Sequence, residues 1–228
     1  MTPITALGSR YGIQGALGRS VKRASAASTW WDLNGTITSC VAAYQPKGAA
    51  SLAASKVNLA NPGTYNATAG SDPIFNSATG WTGTTSAYLL TGITPSTGWS
   101  MIVRFSNASN ITTVCGSRKA ANDSAFYIMP VDSSNTDYGN QGVLQVVNAT
   151  SDGVLATAGQ TAYNNGISAG TIPTATNTQW YEIYLLCRNT AGSPTQYFNG
   201  GVLAAVAIYN TTLTSTQISA LNTAMAAL

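Results

Sequence analysis

The sequence predicts an all-β fold in which two antiparallel sheets pack face to face as a sandwich. Three observations support this prediction: the chain length, a series of short apolar or alternating segments separated by turn residues, and only one convincing helix, at the C-terminal end. The chain has 228 residues, and β-sandwiches run to about 200–250 residues as one unit. Hydrophobic residues make up 44% of it, which is enough for a sizeable core.

Short strands are predicted from residue 40 onward, each rich in branched or aromatic residues and bounded by turn residues. The predicted strands are residues 40–44, 86–90, 100–106, 112–115, 125–130, 143–148, 180–188 and 201–209. The polar segments 132–140, 163–170 and 190–194 are predicted to be loops.

The last residues of the chain predict an amphipathic helix that lies against the sandwich. Thr214 and Gln217 have the spacing of a capping box, in which each side chain bonds to the backbone of the other residue. The apolar residues that follow share one helical face: Ile218, Leu221, Met225 and Leu228.

Positive charge is concentrated at the N-terminus. Four basic residues precede the first acidic residue, Asp32, and leave six basic against seven acidic side chains in the rest of the chain. We therefore predict an extended basic arm at residues 1–29 and one sandwich domain at residues 30–228. The arm is expected to dock on an acidic surface of a partner, and a solvated tail is the alternative. Its candidate partner-binding residues are Arg10, Tyr11, Arg19, Lys22 and Arg23.

The low charge of the domain excludes several classes of partner. Charged residues are 7% of the chain, against about 25% in ordinary soluble domains, so the surface must consist largely of uncharged polar groups. Without a basic face the domain is not expected to bind nucleic acid. No apolar run is long enough to cross a bilayer, and residues 1–27 lack the apolar core of a secretory signal, so we expect no membrane partner.

No cofactor is predicted. Cys40, Cys115 and Cys187 are widely spaced and contain no Cys-x-x-Cys pair, which indicates buried thiols rather than a metal cluster. A disulfide between two of them is an alternative. Calcium is a second alternative, through oxygen ligands in the polar loops that carry Asp132, Asp137 and Asp152. Asx-type turns explain the same aspartates without a metal.

The C-terminal part of the sequence also resembles a known family. Residues 201–210, Gly-Val-Leu-Ala-Ala-Val-Ala-Ile-Tyr-Asn, followed by Leu213, Thr214 and Ile218, resemble the closing strand and helix of laminin-G-like domains. Residues 57–65, with Gly80-Trp81 and Tyr88-Leu89, resemble variants of that family found in phage and environmental sequences. The matches span residues 40–228, and the resemblance implies the concanavalin A-like jelly roll.

This resemblance implies several activities without choosing among them. Laminin-G-like and related lectin domains bind glycans or proteins, often with calcium, and some relatives with the same jelly roll are glycoside hydrolases. In phages, similar domains are attached to virion proteins.

An enzymatic role is not expected. The chain has no histidine, which removes the commonest general base. Glycoside hydrolysis usually needs a pair of carboxylates, and hydrolases of this fold carry two glutamates that flank an aspartate on one strand. Glu182 is the only glutamate here, and we expect it to face solvent or pair with an arginine.

Glycan binding would need exposed aromatic rings beside amides and hydroxyls. The candidates, all near glycine, asparagine or threonine, are Trp81, Trp99, Tyr138 and Tyr163. Core packing is the alternative for each of them. Trp30, Trp31 and Trp180 are assigned to packing.

Together these observations predict a non-catalytic structural protein of a bacteriophage virion, a decoration or accessory protein of the head or tail. The arm would lie over capsid or tail subunits of the same particle, and the sandwich would face outward. The alternative function is a glycan-binding module of a phage fibre or a cell-surface protein. The sequence leaves open whether the domain forms homo-oligomers.

Overall fold

The structure is a computed structural model that describes residues 29–109, 111–119, 124–175 and 179–228. The predicted arm falls almost entirely outside these residues. Its candidate partner-binding residues, all of which lie outside the described residues, are Arg10, Tyr11, Arg19, Lys22 and Arg23.

Two sheets of short strands form a sandwich, as predicted. The strands of the first sheet are β1 (Cys40–Tyr44), β3 (Ile74–Asn76), β4 (Gly80–Thr82), β6 (Ser100–Ser106), β10 (Gly153–Ala158), β11 (Thr161–Asn164), β12 (Ile167–Thr171) and β16 (Val202–Tyr209). The strands of the second sheet are β2 (Thr68–Ser71), β5 (Tyr88–Leu90), β7 (Cys115–Arg118), β8 (Ala125–Asp132), β9 (Asn135–Val147), β13 (Tyr184–Leu185), β14 (Arg188–Thr190) and β15 (Ser193–Thr195).

Strand pairing is antiparallel throughout the described sheets except for a short parallel contact between β14 and β7. In the first sheet β16 pairs with β6 along one side, and with β4 and β1 at the two ends of its other side. In the second sheet β7 pairs with β8 on one side and with β13 and β14 on the other.

Alternating side chains from both sheets fill the space between them. In β6, Met101, Val103 and Phe105 point into this core, and in β8, Phe126 and Ile128 do so from the opposite sheet. This alternation is what a strand with one face in a core requires, because successive side chains point to opposite faces. The core holds the two sheets in register and fixes which residues each sheet presents on its outer face.

A helix covers the outer face of the first sheet. Helix α2 (Ser215–Ala226) begins at Thr214, and both bonds of the predicted capping box with Gln217 are present. Its buried residues Ile218, Leu221 and Met225 pack on that face. Many of the strand residues beneath it are alanines, which leave room for the helix: Ala43, Ala156, Ala158, Ala205 and Ala207.

Two further short helical segments are a 3-10 turn at Ile37–Ser39, directly before β1, and α1 at Leu52–Ser55, between β1 and β2. Within the described residues no helix is long and apolar enough to cross a membrane.

The strand predicted at residues 180–188 is wrong over most of its length. Only β13 and β14 form there, and they are separated by Leu186 and Cys187; the φ of +64° at Leu186 interrupts the extended backbone. The Leu186 side chain remains in the core, and its N–H donates to Val114 O at 2.8 Å. Glu182 lies before β13, is half-buried and accepts a hydrogen bond from Gly92 N at 2.7 Å. The predicted pairing with an arginine does not form among the described residues.

All three predicted loops are hairpins instead, and residues 190–194 form the short hairpin of β14 and β15. Residues 132–140 contain only a short turn, with Ser133 at φ +57°, and continue as β9 paired with β8. Residues 163–170 contain the turn Asn165-Gly166, with both φ values positive, between β11 and β12. Asn-Gly is a strong signal for a tight hairpin turn. Residues 132–140 and 163–170 suggested loops because β9 and β12, which lie at sheet edges, contain many polar residues.

The three cysteines carry free thiols. Cys115 and Cys187 are buried and Cys40 is half-buried, as expected for small apolar side chains. Burial raises the pKa of Cys40 and that of Cys187 to about 12, so both stay protonated at neutral pH.

Candidate functional site

Three of the four aromatic residues predicted to bind glycan are buried, so the exposure that this prediction required is wrong for them. Trp81 and Tyr138 lie in the core between the sheets, and Tyr163 lies under α2. Trp81 illustrates the reason: its Nε1 donates to Ser55 Oγ at 2.8 Å, which satisfies the indole inside the core. Trp99 is half-buried and packs against the same core.

The structure instead places four other tyrosines on the outer face of the second sheet. We call Tyr88, Tyr127, Tyr184 and Tyr197 the tyrosine face. Each is next to a residue that takes the inward position: Leu89, Phe126 and Ile128, Ile183 and Leu185, and Phe198. Because strand side chains alternate, the tyrosines are directed to the opposite side, away from the core.

Glycines beneath the rings shape this surface. Tyr184 of β13 is directly opposite Gly116 of β7, which is opposite Tyr127 of β8, which is opposite Gly139 of β9. A Cβ on Gly139 would lie 2.8 Å from Tyr127 Cδ1, and one on Gly70 would lie 2.1 Å from Tyr88 Cζ. The rings of Tyr127 and Tyr88 therefore lie directly over the backbone of neighbouring strands, where no other residue would leave room for them.

Three of the rings contact one another. Tyr88 and Tyr184 are 5.3 Å apart between ring centroids with an interplanar angle of 35°, and Tyr88 and Tyr197 are 6.4 Å apart at 62°. Tyr88 and Tyr197 are half-buried, whereas Tyr184 is buried. The result is a rigid aromatic platform with partly accessible rings at Tyr88 and Tyr197.

Polar side chains continue the tyrosine face beyond Tyr127. We call Arg118, Arg188, Asp137 and Gln145 the polar cluster. The guanidinium of Arg188 lies 5.1 Å from the centroid of the Tyr127 ring, and its Nε donates to Thr190 Oγ1 at 3.3 Å. Gln145 Nε2 donates to Asp137 Oδ2 at 3.3 Å.

Burial shifts the ionisation of this cluster. It raises the pKa of Asp137 to about 6, against the opposing effect of the Gln145 hydrogen bond. Burial, with the neighbouring Arg118 charge, lowers the pKa of Arg188 to about 10. Burial and the Asp137 charge raise the pKa of Tyr127 to about 12, so this hydroxyl stays protonated at neutral pH.

Two polar atoms of the cluster are buried without a hydrogen-bond partner, Arg118 Nε and Asp137 Oδ1. Among the described residues the one ion pair within 4 Å joins Lys56 and Asp72, far from the cluster in the sequence and outside it. The cluster thus offers an unpaired donor and an unpaired acceptor beside an aromatic platform. The half-buried Arg118 and the exposed Gln145 are the members of the cluster that a ligand with hydroxyl groups could bond to.

Two of the three aspartates considered for calcium, Asp132 and Asp137, lie together around Gln145 Nε2, and Asp152 lies elsewhere. Asp137 belongs to the polar cluster, and Asp152 accepts hydrogen bonds from Asn107 N and Ser151 Oγ. No group of three histidine, cysteine, aspartate or glutamate side chains suited to a metal occurs in the part of the chain that the structure describes.

Sequence reasoning missed the tyrosine face because it considered only aromatic residues in turn-rich segments. The signal was present in the strands: in Ala125-Phe126-Tyr127-Ile128-Met129, the alternation that directs Phe126 and Ile128 inward directs Tyr127 outward. The pairing of Tyr127 with two glycines depends on register, and one sequence alone does not supply it.

No family model matches the chain, and no curated protein does either. Solved structures do show similarity. A mutant of the Trypanosoma rangeli sialidase with trans-sialidase activity has a TM-score of 0.56 at 11% identity; the match covers 82% of this chain and 33% of that one. The chain thus spans about a third of the sialidase's length.

Two other solved structures are similar over most of this chain. Botulinum neurotoxin type C, whose entry into cells depends on interaction with two ganglioside molecules, has a TM-score of 0.56 at 13% identity; the match covers 52% of its chain and 83% of this one. Domain 4 of AbnA, an extracellular arabinanase of Geobacillus stearothermophilus in complex with arabinotriose, has a TM-score of 0.52 at 16% identity. That match covers 81% of this chain and 98% of the domain. These likenesses establish the concanavalin A-like sandwich fold.

Proposed function

We propose that this protein is a non-catalytic glycan-binding module and that the tyrosine face with the polar cluster is its binding surface. The observation that carries the proposal is the placement of Tyr88 and Tyr127 over glycines, next to buried polar atoms that have no partner. Sugar rings have an apolar face and polar edges, and this surface provides a ring platform beside the polar side chains of Arg118 and Gln145.

Each part of the surface has a distinct role in this proposal. The half-buried rings of Tyr88 and Tyr197 stack on a sugar ring. The half-buried Arg118 and the exposed Gln145 border this platform and donate to sugar hydroxyls. Tyr127 and Arg188 are both buried, so they form the floor and hold the other groups in place.

The similar structures support a glycan ligand. The arabinanase domain was solved with arabinotriose, and cell entry of the toxin depends on interaction with two ganglioside molecules. The two matches cover 83% of this chain for the toxin and 81% for the arabinanase domain.

A glycan array probed with the full-length chain tests the proposal, followed by titration calorimetry with the strongest glycan. Removing the ring in Tyr88→Ala is expected to weaken binding about tenfold or more, since truncating a central aromatic anchor typically costs about 2 kcal/mol. Ile167→Ala is the matched control, because Ile167 is 75% exposed on β12 of the first sheet.

Two outcomes would contradict the proposal. One is the absence of binding to any glycan on the array. The other is equal affinity of Tyr88→Ala and the wild-type protein for the glycan that binds best, which would place the ligand elsewhere on the domain.

We propose as a second function that a bacteriophage particle carries this module as a decoration or accessory protein. The charge distribution favours it: Arg10, Arg19, Lys22 and Arg23 precede every acidic residue, while the rest of the chain is nearly neutral. A cationic segment on a neutral domain is suited to docking on acidic capsid or tail subunits. The two functions are compatible, because the arm and the tyrosine face belong to different parts of the chain.

Cosedimentation with particles of the source phage that lack this protein tests the second function. We expect the full-length chain to bind and a variant that lacks residues 1–29 not to bind. Binding of neither, or equal binding of both, would refute the role of the arm.

A further inference from the structure

A second concave site lies at one end of the sandwich, separate from the tyrosine face. We call it the rim cleft. It has a volume of about 410 Å³, within the range of small-ligand sites. Five segments meet there: the loop before β6, the part of β9 around Gln141, the β10–β11 turn, the segment after β12 and the residues before α2. The residues used below to describe it are Gly98, Gln141, Gly159, Gln160, Thr174 and Thr212.

Hydrogen bonds between these segments fix the shape of the cleft. Thr212 Oγ1 donates to Gly98 O at 2.7 Å, and Gly159 N donates to Trp99 O at 3.1 Å. Ile172 N donates to Gln160 O at 2.8 Å, which ties the β10–β11 turn to the segment after β12. A site whose walls are already bonded to one another loses little conformational entropy when a ligand binds.

Glycine is required at the closest approach of two walls. Gly159 has a φ of +52°, and a Cβ there would lie 2.9 Å from both Thr212 Cγ2 and Thr212 Oγ1. The β10–β11 turn can therefore pack against Thr212 only without a side chain at this position.

The groups that line the cleft are amides, hydroxyls and backbone, and none of its lining residues is ionisable. Gln160 Nε2 is buried without a hydrogen-bond partner. Beneath the cleft, the fully buried Asn140 donates from Nδ2 to Trp99 O at 2.9 Å, while its Oδ1 has no partner. Unpartnered buried polar groups are destabilising, so their presence indicates a role in binding or solvation.

We propose that the rim cleft binds a neutral, polyhydroxylated ligand, of the size of one sugar residue, as a site distinct from the tyrosine face. Uncharged donors and acceptors match hydroxyl groups and offer no counter-charge for a carboxylate, sulfate or phosphate. The amide and hydroxyl groups come from Gln141, Gln160, Thr174 and Thr212, which line the cleft. This site goes beyond the proposed function, because it would exist whether or not the tyrosine face binds glycan.

Chemical-shift mapping on the ¹⁵N-labelled full-length chain tests this site. The probes are glucose, galactose, arabinose and N-acetylglucosamine, with glucuronate as the charged comparison. We expect at least one neutral sugar to cause saturable shifts in the Gln160 side-chain amide and in the backbone amides of Gly98 and Gly159. Glucuronate is expected to bind more weakly than that sugar.

Two variants separate this site from the tyrosine face. Gln160→Leu keeps the side-chain volume but removes the amide. We expect it to lower the affinity for the neutral sugar about tenfold, as for the loss of one or two hydrogen bonds. Tyr88→Ala should leave binding in the cleft unchanged even if it abolishes binding on the tyrosine face. The proposal is overturned if no neutral sugar shifts these signals, if glucuronate binds there more tightly, or if Gln160→Leu binds like wild type.

Discussion

The outer faces of the two sheets differ in what they present. On the first sheet, Ile102, Val154 and several alanines are covered by α2 and by Trp30, so that face belongs to a second apolar core. On the second sheet, tyrosines, arginines and an aspartate occupy the equivalent surface, and no helix among the described residues packs over them.

This difference shows how one architecture separates stability from recognition. The first sheet carries small apolar side chains because a helix must approach it, and burial of apolar surface stabilises that contact. The second sheet carries amphipathic rings and charged groups, which contribute less to stability than to the binding of a ligand with mixed polarity. The predictions below test that division of roles.

The largest expected effect comes from a charge placed under α2. Ala207→Glu buries an unpaired carboxylate at a fully buried position of β16. The free energy of unfolding should fall by about 3–5 kcal/mol. Leu90→Glu is the matched control, because Leu90 of β5 is half-buried on the outer face of the second sheet. This variant should lower the free energy of unfolding far less. Urea unfolding measures both, and equal losses would contradict the comparison.

Shortening a helix residue on the covered face should have the next largest effect. Leu221→Ala removes a fully buried side chain between α2 and the first sheet, which should lower the free energy of unfolding by about 2–5 kcal/mol. Leu228→Ala, at a half-buried position after the helix, should lower it by less. Thermal unfolding distinguishes the two. If glycan affinity fell with stability in Leu221→Ala under native conditions, the covered face would also take part in binding.

Asp137→Asn should produce a smaller effect that depends on pH. Burial raises the pKa of Asp137 from an ordinary value of 3.8 to about 6. Between these values the folded state keeps a proton that the unfolded state releases, so this carboxyl lowers stability as pH rises from about 4 to 7. Asp137→Asn should therefore match wild type near pH 4 and exceed it by about 2–3 kcal/mol above pH 7. A constant difference across that range, measured by urea unfolding, would show that Asp137 does not titrate in this way.

Tyr88→Ala should have the smallest effect on stability. Its ring is half-buried and lies over Gly70 on the outer face of the second sheet. We therefore expect the free energy of unfolding to fall by about 1 kcal/mol, together with the loss of glycan affinity. Trp81→Ala is the contrast, because that ring is fully buried in the core and should cost about 3–5 kcal/mol. If calorimetry showed similar losses of unfolding free energy for the two variants, Tyr88 would be a core residue rather than part of a binding surface.

Local signals in the sequence predicted much of the fold. Residues 40–44 and 100–106 are the predicted strands, and the capping box at Thr214 begins the predicted helix. The left-handed backbone at Leu186 could not be predicted, because a leucine there gives no local sign of it. β10, whose residues are all buried, was missed because its run of small residues has no clear alternation.

The candidate site was harder to predict than the fold. It depends on which residues of distant strands lie opposite one another, and Gly116, Tyr127 and Gly139 are brought together only by the register of β7, β8 and β9. Trp81 and Tyr163 have the turn-rich neighbours of surface aromatics, yet strand pairing in the first sheet places them in cores. Composition indicates that aromatics are available for binding, and pairing decides which of them reach the surface.

Mapping the strongest glycan onto the domain by ¹H–¹⁵N chemical shifts tests the central claim most directly. The account predicts that the largest shifts fall on backbone amides of β5, β7, β8 and β13, with Gly116 and Tyr184 among them, and that those of α2 stay unchanged. Shifts concentrated on α2 and β16, with none around Gly116, would contradict the assignment of the second sheet's outer face as the binding surface.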